Sequence, residues 1–233
     1  MALPFFYIAT YDPGQQQISL DEDTSRHIVQ VLRMKAGEQL NLTDGKGHLL
    51  LCEIAAEHKK HCEVTVREAE YRAPAVRKVA IGISIIKSSS RYEWFLEKAT
   101  EIGIAEIIPL VCQRTEKERF RHDRMNTICI SAMLQSQQVW LPVLREPESF
   151  VSVLDESKFS GQFIAHCGEG PKNPLARQQQ HGSTVILIGP EGDFTTTEIE
   201  LALQKGFMPV SLGDTRLRTE TAGVVAATLL CLV

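Results

Sequence analysis

Two segments near the C-terminus decide the fold: LIGPEGDF at residues 187–194 and SLGDTRLRTETA at residues 211–222. Each segment begins where an apolar stretch of strand character ends, and each is followed by a helical pattern. Loops at the carboxyl ends of parallel strands are where open α/β sheets bind ligands. We therefore expect the two segments to lie side by side and to form a ligand site.

Apolar strands alternate with helices from residue 79 onward. Near-continuous apolar strands in such an alternation predict an α/β domain with a parallel sheet covered on both faces. The predicted strands are Val79–Ile86, Ala105–Cys112, Gln162–His166, Val185–Gly189 and Met208–Leu212. The predicted helices are Tyr92–Ile102, Arg121–Gln138, Thr197–Lys205 and Thr221–Leu232.

The first seventy residues have a different, β-rich pattern. Short apolar stretches separated by turn residues predict strands at Phe5–Ile8, Gln39–Leu42, His48–Ile54 and Cys62–Val66, and one helix at Ser25–Met34. These elements predict a small β-barrel that carries one helix. The pattern changes near Arg72-Ala73-Pro74, which predicts two domains, residues 1–72 and residues 73–233.

Composition excludes several classes of protein. The chain has 233 residues and a formal net charge of -4, and no apolar run is long enough to span a bilayer. The N-terminus lacks the features of a signal peptide, so we expect a cytoplasmic protein without a membrane partner. Six scattered cysteines without a CxxC pair predict reduced, interior thiols. The spacing of Cys52, His58, His61 and Cys62 fits no familiar zinc module, and we expect no metal.

One dense basic run occurs in the middle of the chain, formed by Arg114, Lys117, Arg119, Arg121 and Arg124. Such a run can meet RNA phosphates even when the net charge is negative. By itself it is more typical of a solvated helix face. Composition therefore neither establishes nor excludes an RNA partner.

The two C-terminal segments carry the residues suited to chemistry. Glycines 189, 192 and 213 allow unusual backbone angles and a close approach to a ligand, while Thr195 and Glu198 predict a capping box. Gly-Pro-Glu-Gly alone fits a tight turn as well as a site. The four polar residues at 218–221 exceed what a helix cap needs, which favours a site. No G-x-G-x-x-G, P-loop or G-x-S-x-G motif is present.

These motifs together resemble a known family. IGPEG and SLGDTRLRTETA, with RHIVQVLRMKAGEQLNLTDGKG near the N-terminus and KSSSRYEWFLEKATEIGIAEIIPL in the centre, are similar to the ribosomal RNA small-subunit methyltransferase E family of the SPOUT superfamily. The resemblance covers nearly the whole chain. Three positions depart from the family pattern: Ser88-Ser89-Ser90, the stretch from Leu134 to Gln138, and Asp193 in place of the second glycine of Gly-Pro-Glu-Gly-Gly.

The resemblance implies a fold and an activity. It implies a PUA-like RNA-binding barrel followed by a SPOUT domain with a trefoil knot, in a homodimer. The implied activity is methylation of N3 of a uridine in 16S ribosomal RNA or the small ribosomal subunit, with S-adenosylmethionine as cofactor. The implied cofactor-binding residues are Ile188, Gly189, Pro190, Gly192, Leu212, Gly213, Leu217, Arg218 and Thr219. The loop with Gly168 and Glu169 would close over them.

The chemistry of the reaction suggests roles for individual side chains. Uracil N3 is a poor nucleophile until its proton leaves, so the enzyme must offset one charge. We expect Arg218 to stabilise negative charge on the uracil, and Glu220 or Asp193 to act as base. Glu220 could instead pair with Arg218 and fix its rotamer. Candidates for contacts with the RNA backbone are Arg26, His27, Arg33, Lys46, Arg91 and Arg114.

Two alternatives stay open. A SPOUT enzyme could methylate another RNA atom, such as a ribose 2′-hydroxyl or another base. The chain could also be an RNA-binding protein without activity. A small-molecule enzyme is less consistent with the sequence, because the N-terminal barrel would then have no purpose.

Overall fold

A computed structural model describes residues 3–116, 119–178 and 182–232 of the chain. The structure divides into two compact units. One unit contains the residues up to Pro74 together with Met133–Leu141, and the other contains Ala75–Ala132 and the residues from Pro142 onward. The membership of Met133–Leu141 in the first unit was not predicted from the sequence.

Hydrogen bonds explain why Met133–Leu141 belongs to the first unit. The backbone N–H of Gly47 donates to the Val139 carbonyl at 2.9 Å, and the N–H of Leu141 donates to the Gly45 carbonyl at 2.9 Å. The indole N–H of Trp140 donates to the carbonyl of Arg72 at 2.9 Å. The segment is therefore tied along its backbone to the turn at residues 44–47.

The first unit is built on a five-stranded sheet. Its strand order is β1-β3-β4-β5-β2, so β1 and β2 form the two edges. The strands pack around a core that includes Ile28, Leu40, Leu50 and Val64. The elements are β1 (Phe5–Tyr7), β2 (Gln17–Ser19), α1 (Glu22–Arg26), a π-helical turn (His27–Val31), β3 (Gln39–Thr43), β4 (His48–Ala56) and β5 (Glu63–Tyr71).

The helix predicted at Ser25–Met34 is the main correction in this unit. Helix α1 begins earlier, because the Asp21 side chain accepts a hydrogen bond from the Thr24 N–H at 2.8 Å and caps it. Ser25 is buried, and its hydroxyl donates to the Leu20 carbonyl at 3.2 Å and accepts from the Cys62 N–H at 2.8 Å. The two hydrogen bonds of Ser25 are buried. The spacing of apolar residues, from which the helix was predicted, does not indicate such polar contacts.

The second unit is built on an eight-stranded sheet with the order β11-β13-β10-β12-β6-β7-β8, in which β9 also pairs with β7. Every strand pair described in this sheet is parallel, which confirms the predicted parallel α/β arrangement. The strands are β6 (Lys78–Ser84), β7 (Glu106–Val111), β8 (Val143–Leu144), β9 (Glu148–Ser149), β10 (Gly161–Ala165), β11 (Asn173–Pro174), β12 (Ser183–Ile188) and β13 (Met208–Ser211). The helices are α2 (Ser89–Ile102), α3 (His122–Gln135), α4 (Phe150–Glu156), α5 (Thr196–Gln204) and α6 (Thr219–Cys231), with a 3-10 turn at Leu175–Arg177.

Both faces of this sheet are covered. Ala80 of β6 belongs to a buried cluster that includes Phe150 of α4 and Ala202 of α5. Ile83 lies three residues further along β6, so its side chain points to the opposite face of the sheet from that of Ala80. It packs against Gly223 of α6, where an added Cβ would lie 2.9 Å from the Ile83 side chain. Alternate side chains of a strand point to opposite faces, so α4 and α5 cover one face and α6 the other.

Helix α4 was absent from the predicted elements, because its seven residues contain too few turns for a clear helical period. Among the described helices, none is both long and apolar enough to cross a membrane.

Candidate active site

A cavity of the second unit lies at the carboxyl ends of β10, β12 and β13. These three parallel strands are neighbours, with β10 between the other two. The cavity has a volume of about 810 Å³. Its wall contains residues 165–167 and 172 from the end of β10 onward, residues 188–191 and 193, residues 210–220 and 222, and Arg91 of α2. The two segments quoted from the sequence therefore do line one cavity.

The segment after β12 folds as a tight turn. The Asp193 N–H donates to the Pro190 carbonyl at 2.9 Å, and Asp193 has a φ of 64°. A Cβ on Gly189 would lie 3.0 Å from the Phe194 nitrogen, so a larger residue there would push against the turn. The predicted capping box of Thr195 and Glu198 is present and fixes the start of α5.

The Asp193 carboxylate holds two loops together. One oxygen accepts a hydrogen bond from the Cys167 N–H at 2.7 Å, and the other accepts from the N–H of Phe194 at 2.9 Å. Both oxygens thus have backbone donors within the protein. Asp193 therefore links the loop after β10 to the turn after β12 at the wall of the cavity.

The segment after β13 reaches the segment after β12 through a buried hydrogen bond. The hydroxyl of Thr219 donates to the Gly189 carbonyl at 3.0 Å. Thr219 is also the first residue of α6, and Arg218 occupies the N-cap without a side-chain capping bond. The bond therefore fixes the start of α6 against the turn, and it places Arg218 at the positive end of the helix dipole.

Glu220 lies in the first turn of α6 and is nearly buried. Its carboxylate is 3.7 Å from the Arg91 guanidinium, and its side chain is only 9% exposed. The alternative in which Glu220 pairs with Arg218 was wrong: within the described residues the ion pair forms with Arg91. Helices α2 and α6, which carry Arg91 and Glu220, pack closely: a Cβ on Gly223 would lie 2.6 Å from the Phe95 ring.

Sequence reasoning missed the side chains that follow β10. His166, Cys167 and Lys172 line the cavity, whereas Gly168 and Glu169 were expected there. The Lys172 ammonium donates to the Gly168 carbonyl, which shapes this loop. Only the position of the loop after a parallel strand could have indicated these residues, because they carry no motif.

His166 is unusual within this loop. Both ring nitrogens are buried, and neither has a hydrogen-bond partner among the described residues. Burial lowers the pKa of His166, the positive charge of Lys172 lowers it further, and the Asp193 carboxylate opposes the shift. The imidazole is therefore neutral over a wider pH range than a free histidine.

Gly192 and Arg114 do not line the cavity. The Arg114 guanidinium donates to the Gly192 carbonyl at 2.6 Å, so it supports the turn from outside. Arg124, in the same basic run, makes two hydrogen bonds to Glu93, at 2.8 and 3.0 Å. Lys117 of that run lies outside the described residues. The basic run is thus partly engaged within the protein.

The remaining predicted RNA contacts lie in the first unit. Arg26 pairs with Asp23 at 2.6 Å, and the ring of His27 meets the Phe6 ring edge-on with centroids 5.7 Å apart. Arg33 and Lys46 are exposed. All four positions are accessible to a partner at least in part.

Comparison with known proteins supplies the family. A family model described as an RNA methyltransferase domain matches residues 73–231, more than half of the chain. The chain belongs to this RNA methyltransferase family. A second model, described as an RNA methyltransferase PUA domain, matches residues 20–67.

Individual relatives support the same family over almost the full length. A crystal structure of a probable rRNA-methyltransferase from Porphyromonas gingivalis is 40% identical, with 98% of each chain covered and a TM-score of 0.90. A ribosomal RNA small subunit methyltransferase E from Neisseria gonorrhoeae, bound to S-adenosyl methionine, is 28% identical, with 97% of this chain and 95% of that chain covered and a TM-score of 0.87. Ribosomal RNA small subunit methyltransferase E of Rickettsia conorii is 27% identical, with 94% and 91% covered. The resemblance drawn from the sequence is confirmed.

Proposed function

We propose that this chain transfers a methyl group from S-adenosylmethionine to N3 of a specific uridine in 16S ribosomal RNA. The observation that carries the proposal is the cavity at the ends of β10, β12 and β13, in which the Thr219–Gly189 hydrogen bond joins two loops. A relative from Neisseria gonorrhoeae with the same fold binds S-adenosyl methionine. The family match and the ribosomal RNA relatives support an RNA substrate.

The residues present fit S-adenosylmethionine. A cavity of about 810 Å³ is within the range of about 300–1,000 Å³ that suits small ligands. Its wall combines apolar side chains, such as Ile188, Leu212 and Leu217, with backbone groups of two glycine-containing loops. The carboxylates of Glu191 and Asp214 also line the cavity and suit a positively charged ligand. When bound, the cofactor supplies a methyl group already activated on a sulfonium.

The side chains at the start of α6 would handle charge in the reaction. Uracil becomes nucleophilic at N3 when its proton leaves, and negative charge then spreads to the carbonyl oxygens. Arg218, at the N-terminal end of α6, stabilises this charge together with the helix dipole. Glu220 orients Arg91 through their ion pair and can accept a proton. Asp193 acts through its two backbone hydrogen bonds, which hold the cavity loops.

The domain organisation extends the proposal. We assign residues 1–72 to a PUA-like barrel that binds RNA, with contacts from Arg26, His27, Arg33 and Lys46, and residues 73–233 to a SPOUT domain. The C-terminal trefoil knot, the homodimer and the cytoplasmic location belong to the same proposal.

The test uses small ribosomal subunits from a strain that lacks this gene. Purified protein and S-adenosylmethionine should produce one 3-methyluridine per subunit, detected by mass spectrometry of nucleosides. A methylated ribose or another methylated base would assign the enzyme to the alternative target. Absence of cofactor binding in calorimetry would instead identify an RNA-binding protein without activity.

The role of Arg218 has its own variant. Arg218→Ala should lower kcat about 100-fold, the size expected when a donor to a developing negative charge is lost, while the Kd for the cofactor changes little. Arg77→Ala, an exposed arginine of the same unit outside the cavity wall, is the control and should keep full activity. A nearly normal rate for Arg218→Ala would refute the assigned role.

A further inference from the structure

A second cavity shares a wall with the first. It has a volume of about 590 Å³ and is formed by Ser90, Arg91 and Trp94 of α2, the loop at residues 216–218, and the first turn of α6. Five of its residues, Arg91, Arg216, Leu217, Arg218 and Glu220, also line the cofactor cavity. A molecule bound in the second cavity would therefore be in direct contact with the walls of the first.

Close packing of two helices creates this second cavity. Gly223 of α6 faces Phe95 of α2, and a Cβ on Gly223 would lie 2.6 Å from the Phe95 ring. Phe95 is fully buried, whereas the adjacent Trp94 lies on a different face of α2. The indole of Trp94 remains 43% exposed. A large aromatic ring is thus held at the rim on a rigid helix.

The charges around the indole favour an anionic ligand. Arg91, Arg216 and Arg218 bring three guanidinium groups to the cavity, against the single carboxylate of Glu220. Glu220 is already paired with Arg91. Over the described ranges, neither Arg216 nor Arg218 has an ion-pair partner. An aromatic face beside unpaired guanidinium groups is the combination that binds a nucleobase and its phosphate.

We propose that the second cavity receives the target nucleotide and that Trp94 stacks on its base, with Arg216 neutralising an adjacent phosphate. This inference rests on the proposed function and deepens it by naming the substrate subsite. Stacking accepts any base, so Trp94 contributes binding rather than selection of uracil. The shared wall containing Arg218 and Glu220 then faces both the base and the cofactor.

The first test measures binding of a nucleotide directly. The chain has two tryptophans, Trp94 and Trp140, so the Trp140→Phe variant reports on Trp94 alone. Titration with uridine 5′-monophosphate, in the presence of S-adenosylhomocysteine, should quench its fluorescence in a saturable manner. The Trp94→Phe variant, which reports on Trp140, should show no saturable quenching. An unquenched Trp94 would overturn the assignment.

The second test separates binding from catalysis. Loss of one base-stacking contact weakens binding by about 5- to 150-fold, so Trp94→Ala should raise KM for subunits about 10-fold at an unchanged kcat and cofactor Kd. Trp94→Phe should restore most of the affinity. Leu203→Ala on α5, where the side chain is 42% exposed, is the matched control and should behave as wild type.

The outcomes distinguish this inference from the proposed function. Normal kinetics of Trp94→Ala in an active enzyme would overturn the role of Trp94 and leave the methyltransferase assignment intact. A wild-type protein that methylates no RNA would refute both. Conversion of a dimer to a monomer by Trp94→Ala, seen by light scattering, would show that a second copy of the chain covers the indole and would also overturn the inference.

Discussion

Replacement of Thr219 by valine tests the hydrogen bond on which the cavity depends. Valine has nearly the same shape as threonine but cannot donate to the Gly189 carbonyl, which accepts the Thr219 hydroxyl at 3.0 Å. Thr219 is only 5% exposed, so water cannot easily replace the lost donor. The substitution therefore removes one interaction and leaves a buried carbonyl unsatisfied.

The expected cost follows from the burial of the two groups. A net hydrogen bond contributes about 0.5–1.5 kcal/mol, and a buried group left without a partner costs about 1–3 kcal/mol. We expect a loss of about 2 kcal/mol in the free energy of unfolding. At about 2–4 °C per kcal/mol for a domain of this size, the Tm should fall by about 4–8 °C.

Cofactor binding should weaken as well, because the bond holds together two loops of the same cavity. We expect about 1.4 kcal/mol of this free energy to be lost from cofactor binding, because the loops are then less well ordered. The Kd for S-adenosylmethionine should therefore rise about 10-fold. Calorimetry measures both quantities, through thermal unfolding and through titration with the cofactor.

Two controls make this result specific. Thr219→Ser keeps the hydroxyl and should retain most of the stability and affinity. Thr228→Val, on the same helix, removes a hydroxyl that donates to the Val224 carbonyl at 3.0 Å but lies outside the cavity wall. It should leave the Kd unchanged. If Thr219→Val matched the wild type in both Tm and Kd, the bond would not organise the site.

Two further predictions concern the same unit. Gly223→Ala should lower the free energy of unfolding by about 1–3 kcal/mol, since its Cβ would lie 2.6 Å from the Phe95 ring; an unchanged Tm in calorimetry would contradict the close packing of α2 and α6. The pKa of His166 is lowered in the folded protein, mainly by burial. The unfolded chain therefore binds a proton at this residue more readily than the folded chain does. The free energy of unfolding should consequently fall as the pH drops below about 6.5. His166→Gln should show a smaller loss between pH 7 and pH 5, and denaturation curves that fall equally for both proteins would contradict this origin.

Much of the fold could be predicted because its signals are local. The buried parallel strands read as continuous apolar stretches, and their order along the chain placed the loops at 189 and 213 after strand ends. The capping box at Thr195 depends on two residues three positions apart. Each of these features is visible within a short window of sequence.

The missed features depend on contacts between distant segments. The side chains of His166 and Lys172 reach the cavity because β10 lies between β12 and β13, and strand order is not encoded in periodicity. Residues 133–141 join the first unit through hydrogen bonds to the turn at residues 44–47 and to Arg72. Arg91 was considered as an RNA contact, yet its ion pair with Glu220 spans more than a hundred residues. No local pattern predicts such pairs.

Asp193 shows how a structure can change the interpretation of one residue. The resemblance to the family implies a second glycine at this position, and as a carboxylate that lines the cavity Asp193 was a candidate base. Its φ of 64° is the left-handed conformation that glycine adopts freely and that aspartate tolerates better than most residues. In this chain the carboxylate accepts hydrogen bonds from Phe194 and Cys167. Aspartate at this position therefore allows the left-handed turn and adds a link between two cavity loops. Its role as a base stays a prediction.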